Sequence, residues 1–345
     1  MIQGLYSVEE ISAMIEKGDT LLLGGDTLLL SALPKGKWIG GTTSQFIENK
    51  KLIMTREKIF VHNITDIVAN VKFKTYDAST IHNVYDDAFD NGFSVMITPF
   101  YSEVKNEYAL NCINYSNFVN RVVCGWISVT PTYTGDERDV SLVYSGETGL
   151  SYDNAGVVMH IELPEEKYAE IHSFNPYLPE KGDEIIFEES GHIYENVLIN
   201  GVRQNFKQYM IDKKIDRSPQ NNNLLVGDYS GISINAVVMP EIVNTVILPE
   251  LENANIHVNT VTLGNPVFKD IPYHFATLNS EESYEKMQQI EEDIVFSFSC
   301  ATNFVFPDDF SRYLTRTNGP FCYGEYAYFL LNTTTVYVAI GNKSN

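Results

Sequence analysis

A chain of 345 residues, 44% hydrophobic and 20% charged, has the composition of a globular protein and exceeds the size at which one core stops growing. Two domains are therefore expected. The 24 Lys and Arg against 45 Asp and Glu give a net charge of −21, which repels phosphate backbones and anionic lipid and argues against nucleic-acid or membrane-surface binding.

The opening stretch has neither a basic n-region nor an unbroken apolar run, so no export signal is read there. Residues 7–17 predict a helix: Ser7 caps it, Glu9 and Glu10 suit its first turn, and Ile11, Met14 and Ile15 share a face up to Gly18. Two short apolar runs around Gly24-Gly25-Asp26 predict a strand, a tight turn and a strand. Gly40-Gly41-Thr42-Thr43-Ser44 reads either as a bulged turn between strands or as a loop whose N–H and hydroxyl groups hold a polar ligand. Residues 58–64 and 93–98 predict strands, 78–91 a helix, and 122–129 a strand carrying Cys124 and Trp126.

From Val140 the pattern turns to short alternating strands with Gly turns, and Asn200-Gly201 is a hairpin signal. A short helix is expected over 204–210 and a longer one over 281–292, with strands between. Residues 294–299 alternate and place Cys300 at a strand end. Gly319-Pro320 reads as a turn, Glu325 as a carboxylate at the mouth of a sheet, and Thr333–Ile340 as a final strand. The fold class expected is α+β, two β-rich lobes of mixed or antiparallel sheet flanked by helices, divided at 1–190 and 191–345.

The four cysteines, Cys112, Cys124, Cys300 and Cys322, match no zinc or redox spacing, and without an export signal they are expected as reduced thiols in a cytoplasm. No His-Glu-x-x-His and no close carboxylate–histidine cluster points to a metal.

Several segments resemble the FIST (F-box and intracellular signal transduction) sensory domain. In the second half these are VLINGVRQNFKQYM (197–210), IVFSFSCATN (294–303), GPFCYGEYAY (319–328) and Asn332-Thr333-Thr334-Thr335 followed by VYVAI; in the first half, WIGGTTSQF (38–46). The chain departs from the family pattern at Thr302-Asn303, where a Gly-Arg pair is usual, and at Gly41, where a cysteine is common. The resemblance implies a small-ligand sensor, with amino acids among the candidate ligands, and a pocket between the halves. Thr42, Thr43, Cys300, Asn303, Tyr323 and Glu325 would contribute to it. No output domain follows, so signalling is expected to pass through a partner protein.

In that pocket Glu325 would accept from a ligand ammonium, threonine and backbone donors would hold a carboxylate, and Tyr323 would wall one side. The family also implies haem as a second candidate ligand, with an axial histidine drawn from His62, His82, His160, His172, His192, His257 and His274. Two rival classes stand beside the sensor. One is a cysteine-dependent hydrolase or transferase with Cys300 as nucleophile, His257 or His274 as base and Asp308 or Asp309 as orienter. The other is a protein-interaction module with no ligand.

Overall fold

The computed structural model describes residues 2–130, 139–213, 215, 224–238, 260–278, 285, 293–301 and 317–343. The first part of the chain forms β1 (Ile2–Tyr6), α1 (Val8–Lys17), β2 (Leu21–Gly25), α2 (Thr27–Ser31), β3 (Trp38–Thr42), β4 (Gln45–Glu48) and β5 (Lys51–Met54). It continues with β6 (Ile59–Asn63), β7 (Asn70–Tyr76), β8 (Gly92–Pro99), α3 (Glu103–Asn111), β9 (Val123–Ser128), β10 (Val143–Ser145), β11 (Leu150–Tyr152), β12 (Gly156–Glu162) and β13 (Lys167–Phe174). The middle part holds β14 (Tyr177–Pro179), β15 (Ile185–Ile186), β16 (Gly191–Tyr194), β17 (Asn196–Ile199), β18 (Val202–Asn205), α4 (Phe206–Asp212), β19 (Leu224–Tyr229), β20 (Ile232–Val237), β21 (Val261–Val267) and β22 (Pro272–Leu278). The chain closes with β23 (Asp293–Cys300), β24 (Gly319–Cys322), β25 (Glu325–Ala327), β26 (Phe329–Leu331) and β27 (Thr335–Asn342). The protein is mostly strand with few helices, an α+β architecture of mixed and antiparallel sheets.

Two compact units form, and their border differs from the expected division at residue 190. The first unit comprises Met1–Phe174 together with Gln288–Asn345; the second is the intervening Asn175–Met287. Strand pairing gives the reason. The last strands find partners in the first part of the chain: β27 lies between β13 and β23, β24 beside β4, and β25 beside β9.

Among the described residues, the first unit holds three sheets, with strand orders β1-β6-β2-β3-β10-β11, β26-β25-β9-β8-β12-β7 and β13-β27-β23-β24-β4-β5. Each contains one parallel pair: β2 with β3, β8 with β9, and β23 with β24. Helix α1 forms as the sequence predicts. Ser7 and Glu10 make a reciprocal capping box, Gly18 closes the helix in the left-handed region, and Ile11 and Ile15 pack on Leu21, Leu23, Trp38, Ile59 and Val61. The second unit is built on the order β18-β17-β15-β22-β19-β20, and Asn200-Gly201 makes the expected two-residue turn between β17 and β18, both residues at positive φ.

Three local expectations are corrected. The apolar run after Asp26 is helix α2 rather than a strand, because the Asp26 side chain accepts from Leu28 N and caps a turn that leucines favour. Residues 78–91 form turns around a 3₁₀ segment, Ile81–Asn83, instead of a helix. Asp77 draws Ser79 and Thr80 into an Asx-type turn, and the Asn and Asp side chains that follow compete with helical bonding. Gly319-Pro320 lies in β24 rather than in a turn. Pro320 sits opposite Phe46, and the parallel register with β23 begins only at Phe321, so the missing proline N–H interrupts no bond there. The helix expected over 281–292 lies outside the described residues apart from Glu285, which is helical.

Gly125 in β9 sits at φ +148°, and a Cβ there would collide with the Met96 carbonyl of β8. Gly125→Ala is expected to cost about 3 kcal/mol or more in urea unfolding, since the colliding atom is sheet backbone and cannot swing aside.

Candidate functional site

The carboxyl ends of the three parallel pairs meet. Thr42 ends β3 and Ser128 ends β9; the Thr42 amide donates to Ser128 Oγ at 2.8 Å, and the two hydroxyls lie 2.9 Å apart. The Thr43 hydroxyl donates to the Phe321 carbonyl in β24 at 3.0 Å. Glu325 opens β25 opposite Trp126 of β9, two residues before Ser128. Sheet register thus brings together side chains that are far apart in sequence. Gly41 permits the approach, since a Cβ there would stand 2.8 Å from both Ile97 and Trp126.

Glu325, expected as a carboxylate at the mouth of a sheet, is fully buried. Its Oε2 accepts from the Thr334 hydroxyl at 3.0 Å and its Oε1 from the Cys322 thiol at 3.6 Å. Cys322 stands beside Cys300 across the parallel pair, a neighbour relation fixed by the β23–β24 register. The Cys300 thiol has one proton and two acceptors within reach, the Glu325 carboxyl and Asn332 Oδ1; the amide, at 2.9 Å, holds it. Burial pushes the Glu325 carboxyl well above the usual carboxylate range, and the hydrogen bonds from Thr334 and the Cys322 thiol only partly oppose this. The core therefore favours the neutral acid, which has an O–H to give. Burial likewise raises the Cys322 thiol far above its ordinary value, with the neighbouring Glu325 adding to the effect.

Tyr323 lies between buried Cys322 and Gly324 and is itself half-buried. Its ring meets Phe100 edge-on at 6.3 Å, and Phe100 meets Tyr101 at 4.8 Å. Tyr101 is 42% exposed, and the Lys105 ammonium sits 4.9 Å over the Phe100 ring. These aromatics follow the carboxyl end of β8, so the polar centre has a part-exposed aromatic edge.

Of the residues expected at the site, Thr42, Thr43, Cys300, Tyr323 and Glu325 lie in the first unit around this convergence, whereas Asn303 lies outside the described residues. The hydroxyls of Thr42 and Thr43 are spent on the fold: Thr42 bonds Ser128 and the Val140 carbonyl, and Thr43 bonds Phe321. Sequence reading missed Ser128, Thr334 and Asn332 as members. Only Asn332 and Thr334 carried a local signal, the Asn-Thr-Thr-Thr run. For the nucleophile reading, His274 belongs to the second unit, while His257, Asp308 and Asp309 lie outside the described residues.

Of the histidines offered as axial ligands, His62, His160, His172 and His192 have defined packing or hydrogen-bond partners. His62 is walled in by aromatic side chains, and both nitrogens of His160 are held, by Ser94 at 2.7 Å and by Tyr76 at 2.9 Å. His172 stacks on Tyr337, His192 bonds the Leu263 carbonyl, and no histidine lines the groove beside Thr20 or the cavity beside Tyr209. No described helix is long and apolar enough to cross a membrane.

Residues 6–341 match the model of a family of unknown function, DUF6976, and the chain belongs to that family. Comparison with the curated proteins gave no match.

Proposed function

We propose that the chain is a small-ligand-binding protein of the sensory kind its FIST resemblance implies, cytoplasmic, acting through a partner and performing no chemistry on what it binds. The observation that carries this reading is the placement of Tyr323 and Glu325, braced by the bonded Thr42 and Thr43, at the carboxyl ends of parallel strand pairs, the end at which open α/β sheets take their ligands. Phe100, Tyr101 and Tyr323 would receive the apolar part of the ligand. A neutral Glu325 favours a ligand carbonyl or carboxylate over an ammonium, which revises the zwitterion geometry expected from sequence. The same burial disfavours a nucleophile: the Cys322 thiol is held protonated, and the Cys300 thiol is engaged by an amide.

The test is calorimetry across amino acids and small carboxylic acids. Tyr323→Ala is expected to weaken the best ligand by about tenfold, the worth of one aromatic contact. Glu325→Leu should weaken it by a similar factor, while Glu325→Gln keeps a donor and should weaken it less. Unchanged affinity in both Tyr323→Ala and Glu325→Leu would remove this centre from the ligand's path.

A further inference from the structure

A second feature of the first unit lies at the other end of the β2–β3 pair. A groove of about 600 Å³ opens at the amino ends of these strands, a volume suited to a small molecule. On one side it is lined by Thr20, just before β2, and by Lys35 and Lys37, just before β3. On the other side stand Val68, Val71 and Phe73, the last two on edge strand β7.

Three observations give this groove a chemistry. Neither Lys35 nor Lys37 has an ion-pair or hydrogen-bond partner among the described residues, in a chain that carries −21 overall. With Glu147 as the charged side chain opposing them, the lining keeps one net positive charge. The loop that carries them is pinned: Gly36 N donates to the Gly146 carbonyl, Trp38 Nε1 donates to the Pro34 carbonyl, and the Lys35 stem lies over Gly149. Thr20 is only 4% exposed. Its amide is spent on Thr65 Oγ1 and its carbonyl on Ile64 N, yet its hydroxyl has no partner among the described residues. The hydroxyl faces the groove and is reachable from it, so a ligand can bond it there.

We propose that this groove binds a carboxylate carried on a flat apolar body, the carboxylate held by Lys35, Lys37 and the Thr20 hydroxyl and the body laid against Val68, Val71 and Phe73. The contacts to the anion are charge-assisted, so affinity should fall with added salt. This site is separate from the Glu325 centre and stands or falls independently of it.

Sodium benzoate is the probe, with benzamide as its neutral isostere and inorganic phosphate as an anion without an apolar body, each titrated calorimetrically into the full chain. Benzoate is expected to saturate, and benzamide to bind at least about tenfold more weakly. Lys35→Ala/Lys37→Ala, both exposed positions, should lose about tenfold or more for benzoate, and the isosteric Thr20→Val about threefold. Tyr323→Ala should leave benzoate binding as it is. The proposal is overturned if benzoate does not saturate, if benzamide binds equally well, or if the double lysine variant binds like wild type. Phosphate binding more tightly than benzoate would overturn the role of the apolar wall. Loss of benzoate binding in Tyr323→Ala would place the probe at the other site and overturn the assignment.

Discussion

Raising the pH from about 5 to about 8 is expected to destabilise the wild-type protein relative to Glu325→Gln, by up to about 1.4 kcal/mol for each pH unit over which the folded carboxyl stays neutral. In the unfolded chain Glu325 ionises near the ordinary value of 4.5; in the folded protein burial holds it neutral well above that. Between the two values the folded state binds more protons than the unfolded state. The stabilising effect is therefore complete below 4.5 and is progressively lost as pH rises toward the folded value. Gln has the shape of the neutral acid and no titration, so its variant should fold and show none of this slope. Paired urea unfolding curves at several pH values supply the measurement. Parallel pH profiles for wild type and variant would mean that Glu325 is ionised inside the protein, contrary to its surroundings.

The second large effect lies on the acid side and belongs to His62. This residue of β6 is buried, with Phe60 at 5.0 Å and Phe296 at 5.8 Å, and neither ring nitrogen has a hydrogen-bond partner. Gly319 keeps the ring's other side tight: a Cβ there would stand 3.1 Å from Nε2. Burial alone pushes the imidazole down to about 3 from 6.5. The unfolded state takes up a proton near 6.5 and the folded state does so near 3, so stability is lost as pH falls through that window, by about 1.4 kcal/mol per unit. His62→Leu removes both this loss and the unsatisfied nitrogens. It is expected to raise stability at pH 7 by about 1–3 kcal/mol and to flatten the acid limb, as read by denaturant unfolding near pH 4 and pH 7. A variant less stable than wild type at pH 4 would contradict the assignment. Together the two residues confine the fold to a middle pH range: each is a group that the folded core accepts only without charge.

Where sequence and structure agree, the signal is local. The Ser7–Glu10 box, the Gly18 stop and the apolar face of α1 depend on neighbours within a turn or two, as does the Asn200-Gly201 hairpin. The errors arise where a local pattern is ambiguous or overridden. The leucines of α2 read equally well as a strand until Asp26 is seen to cap them, and Gly319-Pro320 becomes strand only through pairing with distant β4. Glu325 could be singled out by its neighbours, but its burial could not. That depends on β25 pairing with β9, about 200 residues earlier in the chain, a consequence of sheet register rather than composition. The contact between Thr42 and Ser128, separated by 86 residues, was beyond reach for the same reason.

The return of the last strands to the first unit also orders events during synthesis. When Phe174 has been translated, β4, β9 and β13 have been made, but β24, β25 and β27, which pair with them, have not. The second unit, Asn175–Met287, is a continuous segment and can complete its own contacts while the earlier strands wait. For that interval the nascent chain presents unpaired strand edges, the surfaces on which β-rich chains associate wrongly. The Leu5 amide on β1 is bonded by the Glu48 carboxylate, so β1, an edge strand among the described residues, carries its own block there.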